Sequence, residues 1–180
     1  VGGDGAFTRV AGVGHFNSGN FDDFAVEYRE GTSDKLFIFY GGATQLTGGN
    51  VDTKASVALS YAVGFFLPSF ALRGLGDVDH DGFDDIALTA PSIVIGGLQQ
   101  QADSFMIWGA NLSGPGNLTN PSLALHLVNL AAQDVFIPLG DINQDGKADL
   151  GVLALESSPA LIEDGSLLYH QAGFVFLGGP

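Results

Sequence analysis

From Gly76 to Pro91 the chain reads GDVDHDGFDDIALTAP, with five aspartates in nine residues followed at once by an apolar run. Like charges this close repel, so the segment is stable only where a cation or solvent relieves them. Asp77, Asp79, Asp81 and Asp85 fall at loop positions 1, 3, 5 and 9, and Gly82 at position 6 supplies a sharp bend. Alternate spacing of this kind aims hard oxygen ligands at one Ca²⁺, and the position-7 carbonyl, that of Phe83, completes the shell. An acidic surface turn would need neither the alternation nor the glycine.

The pattern returns. GDINQDGKADLGVLAL, Gly140–Leu155, places Asp141, Asn143, Asp145 and Asp149 at the same positions, with Gly146 at the bend and Lys147 offering its carbonyl. Gly76 and Gly140 lie 64 residues apart, and 62 residues before Gly76 stands Gly14, opening GHFNSGNFDDFAV. In that copy position 1 is His15, position 3 Asn17, position 5 Gly19 and position 9 Asp23. One ligand carboxylate survives, and Asn20 is expected to take the left-handed bend that glycine takes elsewhere. The expectation is two Ca²⁺ sites and an empty first loop.

An EF-hand would need a bidentate Glu at position 12 and a helix after it. Position 12 is Leu88 or Val152, and the run after the loop alternates as a strand does, with Ile86, Leu88 and Ala90 on one side and Ala87 and Thr89 on the other. Dockerin modules also continue into helices and repeat at a shorter interval.

Composition suits a β-rich protein. Gly at 27 of 180 residues is about twice the usual share, as many short strands joined by tight turns require. Hydrophobic content of 46% supplies a core, and a net charge of −14 disfavours nucleic acid and anionic membranes as partners. No apolar run is long enough for membrane insertion. With no cysteine, neither disulfides nor thiolate metal sites are in play. Ca²⁺ sites of moderate affinity fill where calcium is abundant, which points to a secreted, extracellular or cell-surface setting. The opening at Val1 fits a processed or excised piece.

Aligned on the loops, each repeat has a strand entering (FTRVAGVG, FALRGLG, VFIPLG) and one leaving (DDFAVEY, DDIALTA, ADLGVLAL). A third, apolar strand ends on paired small residues (KLFIFYGG, SFMIWGA, GFVFLGG), and a fourth, outer strand appears twice (ASVALSY, LALHLVN). Four antiparallel strands at a period above 60 residues describe propeller blades somewhat longer than usual. The expected fold is all-β: a single partial propeller over 1–180 with blades of about 1–62, 63–130 and 131–180, the last lacking its outer strand. The excess length falls in loops: TQLTGGNVDT, GLQQQ, GANLSGPGNLTNP and ESSPALIEDGS.

These copies resemble FG-GAP repeats, the blades of the integrin α-subunit propeller and of many bacterial surface proteins. That family carries D-x-D-x-D-G-x-x-D between the first two strands of a blade, then a Gly-Ala-Pro-like ending. The second repeat matches most fully, from Asp77 to Asp85 with Ala90-Pro91 at the ending and Thr89 in place of glycine. The third keeps the loop with Asn143 and ends in ALES; the first keeps the scaffold alone. The resemblance implies that calcium ties a blade hairpin together and that the ring's faces bind partners. Integrin ligand specificity does not carry over, because no position matches a ligand-contact motif.

Propellers close with about four to eight blades, so three leave an incomplete ring. Two open flanks, built from residues such as Phe7, Val10, Phe174 and Phe176, then need cover from further blades of the same polypeptide or from neighbouring chains. Two copies would give six blades about a twofold axis, and head-to-tail donation larger assemblies. VGGDGA is a poor donor strand, which favours a fragment of a larger protein, or completion by a neighbouring chain, over a self-sufficient homo-oligomer.

Enzymatic signals are weak. His15, His80, His126 and His170 are scattered, with no nucleophile elbow, zincin motif or phosphate loop around them. Asp22-Asp23 and Glu163-Asp164 read as turn residues. Trp108, Phe105 and Phe37 suit packing between blades better than a sugar-stacking platform. Asn111 and Asn117 are formal glycosylation acceptors in a long loop that is a candidate contact surface. The reading is a non-catalytic, calcium-binding module for adhesion or assembly through a protein or glycan partner. Its alternative is an accessory propeller of a secreted carbohydrate-active enzyme or phospholipase.

Overall fold

A computed structural model describes residues 6–30, 33–43, 51–62, 71–89, 93–95, 98–100, 102–130, 135–155, 160–161, 167–168 and 171–176. The first repeat forms β1 (Ala6–Gly14), β2 (Asp23–Glu30), β3 (Ser33–Phe39), one helical turn α1 (Val51–Lys54) and β4 (Val57–Ala62). The second forms β5 (Ala71–Gly76), β6 (Asp85–Thr89), β7 (Ile93–Ile95), β8 (Leu98–Gln100), β9 (Ala102–Ile107), β10 (Gly114–Asn117) and β11 (Ala124–Leu130). The third forms β12 (Val135–Gly140), β13 (Asp149–Leu155), β14 (Ala160–Leu161), β15 (Leu167–Leu168) and β16 (Gln171–Phe176).

The three main sheets run β1-β2-β3-β4-β10, β5-β6-β9-β11 and β12-β13-β16. Neighbouring strands pair antiparallel except β4 with β10, and the short acidic loops dictate this for the first two strands of each sheet. Each strand entering an acidic loop slips register by one residue at its end, between Gly12 and Gly14, Gly74 and Gly76, and Pro138 and Gly140. The fold is all-β, and among the described residues no sheet closes on itself. Ala90 and Pro91, the family-like ending, lie outside the described residues, as do Glu163 and Asp164.

Three expected loops carry strands instead. Residues in GLQQQ help form the β7–β8 hairpin, and part of ESSPALIEDGS forms β14, which pairs with β15 just beyond that stretch. In GANLSGPGNLTNP, β10 pairs in parallel with β4 and so extends the first sheet across the repeat boundary. Pro115 in that edge strand has no N–H to offer, which blunts the edge against further pairing.

The sheets stack face to face because their strands are apolar on both sides. Every residue of β6 is buried. Ile86 and Leu88, with Leu72, Phe105 and Ile107, join Val13, Ala25, Leu36, Ile38 and Leu59 of the first sheet in one core cluster. Ala87, with Leu75 and Met106, joins Phe136, Leu150 and Val152 of the third sheet in another. Phe105 therefore packs between sheets, against Tyr61 at 5.6 Å, and half-buried Trp108 packs on the second cluster. Phe37 instead sits on the other face of the first sheet with Tyr28 and Phe39, under Val51 and Ala55 beside α1. It also lines a cleft of about 330 Å³ with Lys35, Ser60 and Gly116, but it is itself buried and presents no stacking platform.

Backbone rungs cross each boundary. The Asp84 N–H donates to the His15 carbonyl at 2.9 Å, and the Ala148 N–H donates to the Asp77 carbonyl at 3.4 Å. Both run from position 8 of one loop to position 1 of the loop before it. The repeats are thus related by one recurring step.

Between the first two sheets lies a buried polar group that the sequence pattern did not announce. Glu27 accepts hydrogen bonds from Thr8 and from the Tyr61 hydroxyl (3.2 Å), and Arg29 makes a two-point ion pair with buried Asp34 at 2.9 and 3.2 Å. Burial pushes the Glu27 carboxyl upward, with Asp34 adding to the rise and Thr8, Tyr61 and Arg29 opposing it. The folded state therefore holds this proton more tightly than the unfolded chain does. The stability this contributes is present below about pH 4.5, the ordinary glutamate value, and is lost as pH rises through the folded value. Glu27→Gln, measured by denaturant unfolding in chelator, is expected to gain on the wild type as pH rises above 4.5 and to level off once pH passes the folded value. Parallel pH curves for the two proteins would show the upward shift to be wrong.

Candidate metal centre

The two acidic loops fold alike. Asp77 accepts from the Asp81 and Gly82 N–H groups at 3.0 Å each, and Asp141 accepts from Asp145 (3.0 Å) and Gly146 (2.8 Å). Asp79 and Asn143 take a share of the same Asp81 and Asp145 N–H groups. Phe83 and Lys147 enter through their own N–H groups, which donate to Asp81 and Asp145. Gly82 (φ 95°) and Gly146 (φ 88°) are left-handed, as expected at position 6. Position 4 is left-handed too, at His80 (φ 66°) and Gln144 (φ 63°). Asn20, expected to bend likewise, does not: His15 stands at position 1, where the other loops have the aspartate that gathers the position-5 and position-6 N–H groups.

One carboxylate oxygen from each of Asp77, Asp79 and Asp85 lies within 4.8 Å of the other two. A cation bound at about 2.4 Å can be touched by oxygens up to roughly twice that far apart. Asp81, predicted as a fourth ligand, is outside this group; its side chain serves the Phe83 N–H. Among the described residues no second trio of acidic side chains is gathered so closely; the third loop has Asn143, an amide, at the position of Asp79. Burial raises Asp79, with Asp81 and Asp77 adding to it. Burial also pushes Asp85 up to about 7, with Asp79 and Asp81 reinforcing the rise and the Gly109 and Val78 N–H groups opposing it. A cation among these oxygens would reverse the balance.

Position 9 has a role that ligand spacing does not reveal. Asp85 Oδ1 accepts from the Gly109 N–H (2.8 Å), at the end of the third strand of its sheet, and Oδ2 from the Val78 N–H (2.9 Å). Asp23 takes the Gly41 N–H at 2.7 Å, and Asp149 takes the Ile142 N–H at 2.8 Å. All three are buried. At Asp23 and Asp85 the carboxylate is a strut from the loop to the sheet. A Cβ on Gly109 would lie 2.5 Å from the Asp84 carbonyl, and one on Gly41 2.3 Å from that of Asp22, so the small residues closing the third strands let the strut reach.

In the first loop the amide of buried Asn17 donates to Asp23 Oδ2 at 2.9 Å, and His15 stands 3.4 Å from Asp22. His80 lies half-exposed, 3.9 Å from Asp77. The His126 and His170 side chains lie outside those described. Asn111 is turned to the first loop, accepting from the Ser18 N–H and hydroxyl, while Asn117 caps its own turn at Thr119.

Compared with protein-family models and with curated proteins, the chain matches none. Fold and loops define it as an all-β protein of stacked repeats with an acidic cluster at the head of the second sheet.

Proposed function

We propose that the chain is part of a calcium-stabilised β-propeller of the FG-GAP kind, serving outside the cell as a non-catalytic module in adhesion or assembly. The observation that carries this is the convergence of Asp77, Asp79 and Asp85 at the head of a sheet whose loop recurs in register in its neighbours. Calcium would be held by Asp77, Asp79 and Asp85, with the Phe83 carbonyl and Asp81 drawn in on binding. The third loop would use Asp141, Asn143, Asp145, Asp149 and the Lys147 carbonyl, one charge poorer. In the first loop the Asn17 amide already occupies the Asp23 oxygen that a cation would neutralise, which supports leaving it empty.

Calorimetric titration of the metal-stripped protein with CaCl₂ is expected to show two sites, the tighter or equal one lost in Asp79→Ala and the other in Asp145→Ala. Strong calcium at His15–Asp23, found by anomalous scattering, would refute the ligand assignment.

A further inference from the structure

The recurring step that stacks the sheets leaves its two end faces matched to each other. Val10, Leu72 and Phe136 are equivalent positions, each four residues before the glycine that opens its acidic loop. Leu72 and Phe136 are buried against the preceding sheet at 7% and 2% exposure, whereas Val10 is 71% exposed. At the other end Ile38, Met106 and Val175 are equivalent; the first two are 0% and 6% exposed and Val175 is 57%. Ile137, in register with Gly151 and Val175, is exposed beside it. Phe24 and Val26, equivalents of Ile86 and Leu88, complete the face around Val10 and are only partly buried. Phe37 and Phe39 are already buried in a cluster that includes Val51 and Ala55, so the open part of that face is its β1 side, where Phe7 and Val10 are exposed.

We infer that the Ile137–Val175 face of one copy docks the Val10–Phe24–Val26 face of a second copy, head to tail. The contact repeats the geometry by which the second sheet docks the first and the third docks the second. The Asp22 N–H, at position 8, would meet the Asp141 carbonyl, at position 1, continuing the rungs from Asp84 to His15 and from Ala148 to Asp77. No strand is donated, so a weak donor segment is no obstacle. Two copies joined at both contacts would bring six sheets together, within the range of about four to eight at which propellers close. The inference rests on the stacking of repeats in the proposed function and not on its calcium.

Sedimentation of residues 1–180 across a hundredfold concentration range, in chelator and again in calcium, tests it. The expected result is a reversible dimer. Val10→Asp and Val175→Asp each place a carboxylate at the centre of one face and should each weaken self-association about a hundredfold or more. Mixed one to one, they should associate again, since each supplies the face the other has lost. Both positions are exposed, so circular dichroism should show the wild-type fold; Ile137→Asp replaces Val175→Asp if that variant does not fold. Three results would overturn the inference: a wild-type monomer at every concentration, a single variant that still pairs like the wild type, or a mixture that fails to recover. Calcium titration is a separate readout, so loss of calcium binding with association intact would refute the metal assignment alone.

Discussion

Asp85→Ala is expected to destabilise the protein by roughly 2–6 kcal/mol even with every trace of calcium removed. The buried Gly109 N–H and the half-buried Val78 N–H each lose their acceptor, and an orphaned buried donor costs about 1–3 kcal/mol. For a chain of this length that lowers the melting temperature by roughly 5–20 °C. Asp23→Ala should behave similarly, although its loop is the one proposed to hold no metal. Asp77→Ala should do the opposite: it abolishes calcium binding at the second loop but in chelator costs about 1 kcal/mol or less, because its donors, Asp81 and Gly82, are exposed and water can replace it. Melts of the three variants in chelator check the contrast. An Asp85→Ala protein that melts there like the wild type would remove the strut from the account.

That contrast marks where sequence reading stopped. Strand assignment succeeded because the loops set the frame: once Gly14, Gly76 and Gly140 were aligned, the apolar alternation around Ala25, Ala87 and Gly151 fell into register, and the principal strands of all three sheets followed. Of the four carboxylates that spacing grouped in the second loop, Asp77, Asp79 and Asp85 come together and Asp81 does not. Their division of labour was not legible, since spacing records which residues alternate and not which backbone N–H each one meets. One signal was available. Position 9 is the only carboxylate common to all three loops, and it persists at Asp23, where the other ligand carboxylates are gone; a residue kept without its partners serves something other than the metal. The Glu27, Arg29, Asp34 and Tyr61 group escaped notice for a different reason: its members lie on strands β2, β3 and β4, and pairing brings together what the chain separates. β10 was missed because GPGN has no strand propensity, and it pairs only because an open edge at β4 lies beside it.

Removing calcium from the loaded protein should lower its melting temperature by roughly 10–20 °C. A ligand that binds only the folded state stabilises it by about 2.7 kcal/mol at a hundredfold excess over Kd, so two such sites together contribute about 5 kcal/mol, and a chain of this length converts each kcal/mol into roughly 2–4 °C. The loss should be local first. Without a cation, Asp77, Asp79 and Asp85 face one another with backbone N–H groups alone to offset their charge, whereas Asp23 also keeps the Asn17 amide. Limited proteolysis in chelator should therefore cut within 77–85 or 141–149 before 15–23. The loosening should then spread along the rungs, because the second loop holds the first through the Asp84 N–H and the third loop holds the second through the Ala148 N–H. Asp79→Ala, with the third loop still loaded, should lose about half of the calcium-dependent shift. Magnesium at the same concentration should restore little of it, since a smaller ion that keeps its water does not draw in the Asp81 side chain and the Phe83 carbonyl. An unchanged melt, with the metal verified absent before and after, would leave calcium without a structural role, and the acidic loops would then be held by the strut and backbone bonds alone.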